Sequence, residues 1–116
     1  MRVLILTSAL LFSFDVSATR YACTIESVAN VNTMTTKGIS KIAKRRKGSK
    51  IEIDSATCEF SSGKFDEPSG VKKAGSFCYI YIDEITFALS RTSLQEGKLG
   101  MLGEKATFYY GSCETI

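Results

Sequence analysis

The carboxylates of Asp54, Asp83 and Glu84 are the candidates for acid–base chemistry in this chain. Asp83 and Glu84 are neighbours on an extended stretch, so we expect their side chains to point to opposite faces. Glycoside hydrolysis needs two carboxylates that face one another across a gap. The chain contains no histidine, which removes the usual general base and the triads that depend on it. The sequence therefore predicts no enzyme, and a small carboxylate-dependent hydrolase is an alternative.

The segment from Lys37 to Lys50 is strongly basic and contains no acid. One hypothesis is that it binds an anionic partner, such as a glycan, a lipopolysaccharide, a nucleic acid or a lipid surface. The residues assigned to this contact are Lys41, Lys44, Arg45, Arg46 and Lys47. The alternative is a solvated loop whose charges keep a sheet edge soluble. The net charge of the whole chain, +3, does not decide between the two.

The chain has four cysteines, Cys23, Cys58, Cys78 and Cys113. An even number in a small exported domain indicates two disulfides, for which three pairings are possible. We favour Cys23–Cys113, which would tie the opening strand to the closing one, together with Cys58–Cys78. The second bridge would close a loop of about 20 residues and contribute about 3 kcal/mol in the chain-entropy model. Without histidine or a Cys-x-x-Cys motif, no metal site is predicted.

Residues 1–18 have the pattern of an export signal. Arg2 precedes an apolar stretch from Val3 to Phe14, which is too short to span a bilayer well. Small or modest residues then lead to a predicted cleavage after Ala18. We therefore expect one exported domain, residues 19–116, in the periplasm or the extracellular medium and with no transmembrane segment. Export makes a nucleic-acid partner unexpected.

The stretch from Phe77 to Leu89 predicts the core of the fold, because β-branched and aromatic residues alternate along it. The alternation slips by one residue at Asp83–Glu84, which indicates a bulge or a turn. Further strands are predicted at Tyr21–Val31, Lys50–Phe60 and Lys105–Tyr110, with loops at Ser61–Ser76 and Arg91–Gly103. The sum is an all-β fold, a small antiparallel barrel or sandwich of five to seven strands with one short helix.

Four tyrosines lie in two of these strands, which could be neighbours: Tyr79, Tyr81, Tyr109 and Tyr110. An exposed aromatic face beside a basic loop would suit single-stranded nucleic acid or a glycan. Tyrosine also caps small β-cores, with its ring inside and its hydroxyl outside. We favour the second interpretation.

Three short patches resemble a loose class of small bacterial exported proteins, most of them of unknown function. The patches are Tyr21-Ala22-Cys23, Lys50–Thr57 and Tyr110-Gly111-Ser112-Cys113. The resemblance implies a small β-barrel. Cys58 stands where the class has glycine, so the Cys58/Cys78 pair is additional to its pattern.

The chain is also similar to bacterial inhibitors of C-type lysozyme, exported barrels with a Tyr-x-Cys start and a terminal cysteine. Their inhibitory loop carries Ser-Gly-x-x-Tyr, whereas Ser62-Gly63-Lys64-Phe65 places a phenylalanine one residue early. This similarity implies an inhibitor of a secreted enzyme, although lysozyme is itself basic and complements a +3 chain poorly. No site residue is transferred from it.

These observations predict an exported, non-catalytic binding module without a cofactor. Its partner would be an anionic glycan or surface, or a protein target. The lysozyme-type inhibitor and the hydrolase are the alternatives.

Overall fold

The computed structural model describes residues 19–116, and the predicted export signal lies outside the described residues. Eight antiparallel strands form one sheet that nearly closes into a barrel, in the order β3-β2-β1-β8-β7-β6-β5-β4. The strands are β1 (Arg20–Asn30), β2 (Lys50–Asp54), β3 (Phe60–Ser62), β4 (Gly70–Ala74), β5 (Phe77–Ile82), β6 (Ile85–Ser90), β7 (Lys98–Leu102) and β8 (Thr107–Thr115). The predicted all-β antiparallel fold is confirmed, in its barrel-like form.

Two short helices accompany the sheet, α1 (Lys41–Arg45) and α2 (Arg91–Gln95), with a 3-10 turn at Glu104–Ala106. The expected five to seven strands and single helix are too few, because both predicted loops contain regular structure. Ser61–Ser76 includes β4, and Arg91–Gly103 includes α2 and β7. Gly97, with a φ of 77°, follows the end of α2. Gly100 pairs with Tyr110 inside the sheet and does not interrupt strand β7.

The β5–β6 hairpin supplies much of the core. Cys78, Ile80 and Ile82 are buried on β5, and Phe87 and Leu89 are buried on β6. The slip in alternation is a two-residue turn, since Ile82 pairs with Ile85. Asp83 takes a φ of 56° there, which is the left-handed conformation that tight hairpin turns require.

The disulfides are Cys23–Cys113 and Cys58–Cys78. Cys23 and Cys113 lie opposite each other in the β1–β8 ladder. The other bridge spans the opening between the edge strands β3 and β4, because Cys58 precedes β3 and Cys78 belongs to β5. Two disulfides are typical of a chain that folds in an oxidising environment. No helix within residues 19–116 has the length and hydropathy that a membrane span requires.

Candidate functional site

The basic segment forms the helix α1 and the turn that follows it. The Ser40 hydroxyl caps the helix by accepting a hydrogen bond from the backbone N–H of Ala43, at 3.1 Å. Ala43 faces the core and is fully buried. The outward side chains form what we call the basic surface, which consists of Lys41, Lys44, Arg45 and Lys47, all exposed. None of the four makes a salt bridge within the described part of the chain.

Arg46 does not belong to this surface, although the sequence groups it with its neighbours. Its side chain enters one end of the barrel and is only 11% exposed. There Nη1 donates hydrogen bonds to Glu104 Oε2 at 3.0 Å and to the Tyr109 hydroxyl at 2.6 Å. Tyr109 in turn donates to Glu104 Oε1 at 2.9 Å. Arg46, which the sequence grouped with the predicted partner contacts, is thus buried, and its charge is paired inside the protein.

Aromatic rings surround the Arg46 guanidinium. Its central carbon lies 4.5 Å from the ring centroid of Phe65, 5.4 Å from that of Phe87 and 5.7 Å from that of Tyr109. These distances allow cation–π attraction as well as apolar contact. Burial, more than any other cause, raises the pKa of the Tyr109 hydroxyl above its usual value. Arg46 thus anchors the turn after α1, and this anchor holds the basic surface facing solvent.

A second feature lies on the outer face of β8, where the rings of Phe108 and Tyr110 stack with centroids 5.6 Å apart. We call this pair the aromatic ridge. Small residues flank it on both sides, since Ala29 of β1 pairs with Phe108 and Gly100 of β7 pairs with Tyr110. The ridge is therefore bordered by two grooves.

The groove on the β1 side has a volume of about 340 Å³, and the groove on the β7 side about 410 Å³. Lys44 and Lys47 of the basic surface line the first groove, and Lys98 lines the second. Both grooves are lined by Ala29, Met34 and Tyr110, so they adjoin. No carboxylate lines either of these two grooves. This arrangement can hold an apolar group close to fixed positive charge.

The tyrosines do not form one aromatic face. Tyr109 lies in the core, whereas Tyr110 points outward and is 40% exposed. Tyr79 and Tyr81 are half-buried on β5, which is separated from β8 by β6 and β7. The expectation that the two strands could be neighbours is wrong. Tyr109 is a core residue, but its hydroxyl is hydrogen-bonded inside the protein and does not point outward.

The candidate carboxylates are divided between the two ends of the barrel. Asp54 ends β2 opposite Arg20, and its Oδ1 accepts hydrogen bonds from the N–H groups of Ala56 and Thr57 at 2.8 and 3.2 Å. Burial acts to raise the pKa of Asp54, but these hydrogen bonds, together with one from the Thr19 side chain and the charge of Arg20, outweigh it and the pKa is lowered. Asp54 thus stabilises a turn.

Asp83 has a partner that the sequence did not indicate, Asp66 of the loop between β3 and β4. A hydrogen bond with the Asp66 side chain, followed by the charge of Asp66, raises the pKa of Asp83. Both side chains are exposed. Only the folded structure identifies the pair, because the two residues belong to separate segments of the sequence. No group of three or more cysteine or acidic side chains suited to a metal ion occurs among residues 19–116.

The loop similar to that of the lysozyme inhibitors does not present its aromatic residue. Phe65 is 7% exposed, and its ring packs edge-on against Phe60 and Phe87, with centroids 5.7 and 5.5 Å away. Phe65 is therefore part of the hydrophobic core.

Comparisons with protein-family models, with curated proteins and with solved structures find no significant match to this chain.

Proposed function

We propose that this chain is an exported, non-catalytic binding module that holds an anionic ligand at its basic surface. The observation that carries the proposal is the division of charge around α1. Arg46 is paired and buried, while Lys41, Lys44, Arg45 and Lys47 are exposed without an acidic partner in the described chain. Unpaired cations fixed on one short helical turn attract anions, and this attraction weakens as salt screens it.

Export is part of the proposal. Support comes from the two disulfides, which are typical of oxidising compartments, and from the export-signal pattern of residues 1–18.

The experiment is binding of the oxidised protein, residues 19–116, to immobilised dextran sulfate. The test variant changes all four residues of the basic surface to alanine and keeps Arg46. A control variant removes the same charge from exposed lysines elsewhere: Lys64, Lys72, Lys73 and Lys105. We expect the first variant to lose binding and the control to retain most of it. Equal loss in both variants would mean that only net charge matters, which contradicts a defined site.

A hydrolase is the second candidate, because the neighbouring Asp66 raises the pKa of the Asp83 carboxyl group. A carboxyl group with a raised pKa could serve general acid catalysis. Asp66 also lines a cavity of about 280 Å³ beside Phe60 and Phe65. Screening of glycoside and ester substrates tests this candidate, and activity that survives Asp83→Asn and Asp66→Asn would not belong to this pair.

A further inference from the structure

The surface around the aromatic ridge is largely apolar. Seven large hydrophobic side chains are exposed in residues 19–116, and three of them line its grooves. Val31 is 39% exposed, Tyr110 40% and Met34 74%. Met34 also has a φ of 57°, a left-handed conformation that is uncommon for a residue with a side chain. Met34 lies in the turn that the Asn30–Thr35 bridge closes, so this turn presents its exposed side chain beside the grooves, and exposed apolar patches of this kind often mark binding sites.

The floor of the grooves is made by small residues. A Cβ atom on Gly100 would lie 3.4 Å from Cζ of Phe108 and 3.9 Å from the Ser93 hydroxyl, so a larger side chain there would occupy the groove. Because the two grooves share Ala29, Met34 and Tyr110, an extended ligand can run from one to the other across the ridge. Each volume, about 340 and 410 Å³, lies within the range of small-molecule sites.

The chemistry of the lining distinguishes between anionic ligands. Nine residues line the β7-side groove, and among their side chains only Ser93, Lys98 and the Tyr110 hydroxyl are polar. A glycan placed there would bury hydroxyl groups without partners, which is costly. A hydrocarbon chain has no such groups and would gain from burial against the rings and Met34. The long stem of Lys98 can cover a chain while its ammonium group stays in water.

We propose that the paired grooves bind a single-chain anionic lipid. Its head group lies between Lys44 and Lys47, and its hydrocarbon chain passes over Ala29 and across the aromatic ridge at Phe108 towards Gly100. The inference rests on the proposed function, because it uses two cations of the basic surface and adds the class of ligand. Charge complementarity selects this occupant, since lysines line both grooves and carboxylates line neither.

Dodecyl phosphate, below its micelle concentration, is the probe. We expect it to shift the backbone amide NMR signals of Ala29, Gly100 and Tyr110. Methyl phosphate, which has no chain, and dodecyl maltoside, which has no charge, should each bind at least about tenfold more weakly. The double variant Met34→Ser/Tyr110→Ser should lose at least about tenfold in affinity for dodecyl phosphate. Phe77→Ser, at an equally exposed aromatic on β5, should change nothing.

The outcomes separate the two proposals. Affinity that is independent of chain length, with dextran sulfate binding intact, overturns the lipid inference and leaves the proposed function. If the wild-type protein binds neither dodecyl phosphate nor dextran sulfate, both the lipid inference and the proposed function are overturned. Binding to phosphatidylglycerol vesicles without binding to monomeric dodecyl phosphate would also contradict a groove that holds one hydrocarbon chain. It would indicate that the basic surface contacts a membrane. Because the NMR shifts are recorded on the unmodified protein, the test does not depend on a variant that folds.

Discussion

The Arg46 guanidinium donates a hydrogen bond to the Tyr109 hydroxyl, 2.6 Å away, and so joins the turn after α1 to the first part of β8. Glu104 accepts from both groups, which leaves a charge pair enclosed by aromatic rings at one end of the barrel. This contact makes Arg46 a structural residue between neighbours that face solvent. It also sets the position of Lys44 and Lys47 beside the groove that Tyr110 lines.

Replacement of Arg46 should destabilise the protein. Arg46→Met leaves the Glu104 carboxylate, 19% exposed, without its cation, and we expect a loss of about 3 kcal/mol in the free energy of unfolding. The adjacent Arg45 is exposed, so Arg45→Met is the matched control and should change stability little. Urea unfolding followed by circular dichroism measures both. Equal stability of the two variants would show that the Arg46 pair contributes nothing.

Tyr109→Phe should reveal a pH-dependent part of the stability. Burial raises the pKa of Tyr109 above its usual value of 10.0, helped by Glu104 and opposed by Arg46. Above about pH 10 the unfolded chain therefore releases this proton more readily than the native protein, and the stability of the wild type falls with pH. We expect Tyr109→Phe to be less stable by about 2 kcal/mol at neutral pH, with the difference shrinking as the pH rises above 10. A difference in unfolding free energy that stays constant above pH 10 would contradict a raised pKa of Tyr109.

Asp83→Asn should relieve repulsion in the β5–β6 turn. Because Asp66 raises the pKa of Asp83, the stability linked to this proton is present below the usual pKa of 3.8 and is lost as the pH rises through the folded value. We expect the variant to melt at a higher temperature than the wild type at neutral pH, with the advantage declining in acid. Asparagine also suits the left-handed φ, but that contribution does not vary with pH. Glu84→Gln, in the same turn, is the control.

Removal of the Cys58–Cys78 bridge should open the barrel at its edges. The two residues are 20 positions apart, and a loop of this length corresponds to about 3 kcal/mol of unfolding free energy. Cys58→Ser/Cys78→Ser should therefore unfold at a lower temperature, and amide exchange should increase first in β3 and β4, which flank the opening. Uniform acceleration across the whole sheet would contradict a role for this bridge at the seam.

The sequence predicted those features that depend on local alternation and missed those that depend on which strands are neighbours. The apolar pattern from Phe77 to Leu89 is sufficient for the central hairpin, because a strand with one buried face repeats every two residues. The outward ridge of Phe108 and Tyr110 and its grooves require the order of β1, β8 and β7, which the alternation within a strand does not contain.

The burial of Arg46 has a signal in the sequence. Ile39, Ala43 and Arg46 are spaced by four and three residues, as on one face of a helix, and all three are buried. That spacing could have separated Arg46 from its neighbours within the basic run. The glycines from Gly97 to Gly103 were misleading, because their spacing suggested a loop where the structure has strand β7.

The salt dependence of dextran sulfate binding tests the proposed function most directly. We would measure affinity across a series of salt concentrations for the wild type and for the variant with Lys41, Lys44, Arg45 and Lys47 changed to alanine. We expect wild-type affinity to fall steeply with salt, and the variant to bind weakly with a much shallower dependence. Identical slopes for the two proteins would contradict the assignment of anion binding to the basic surface.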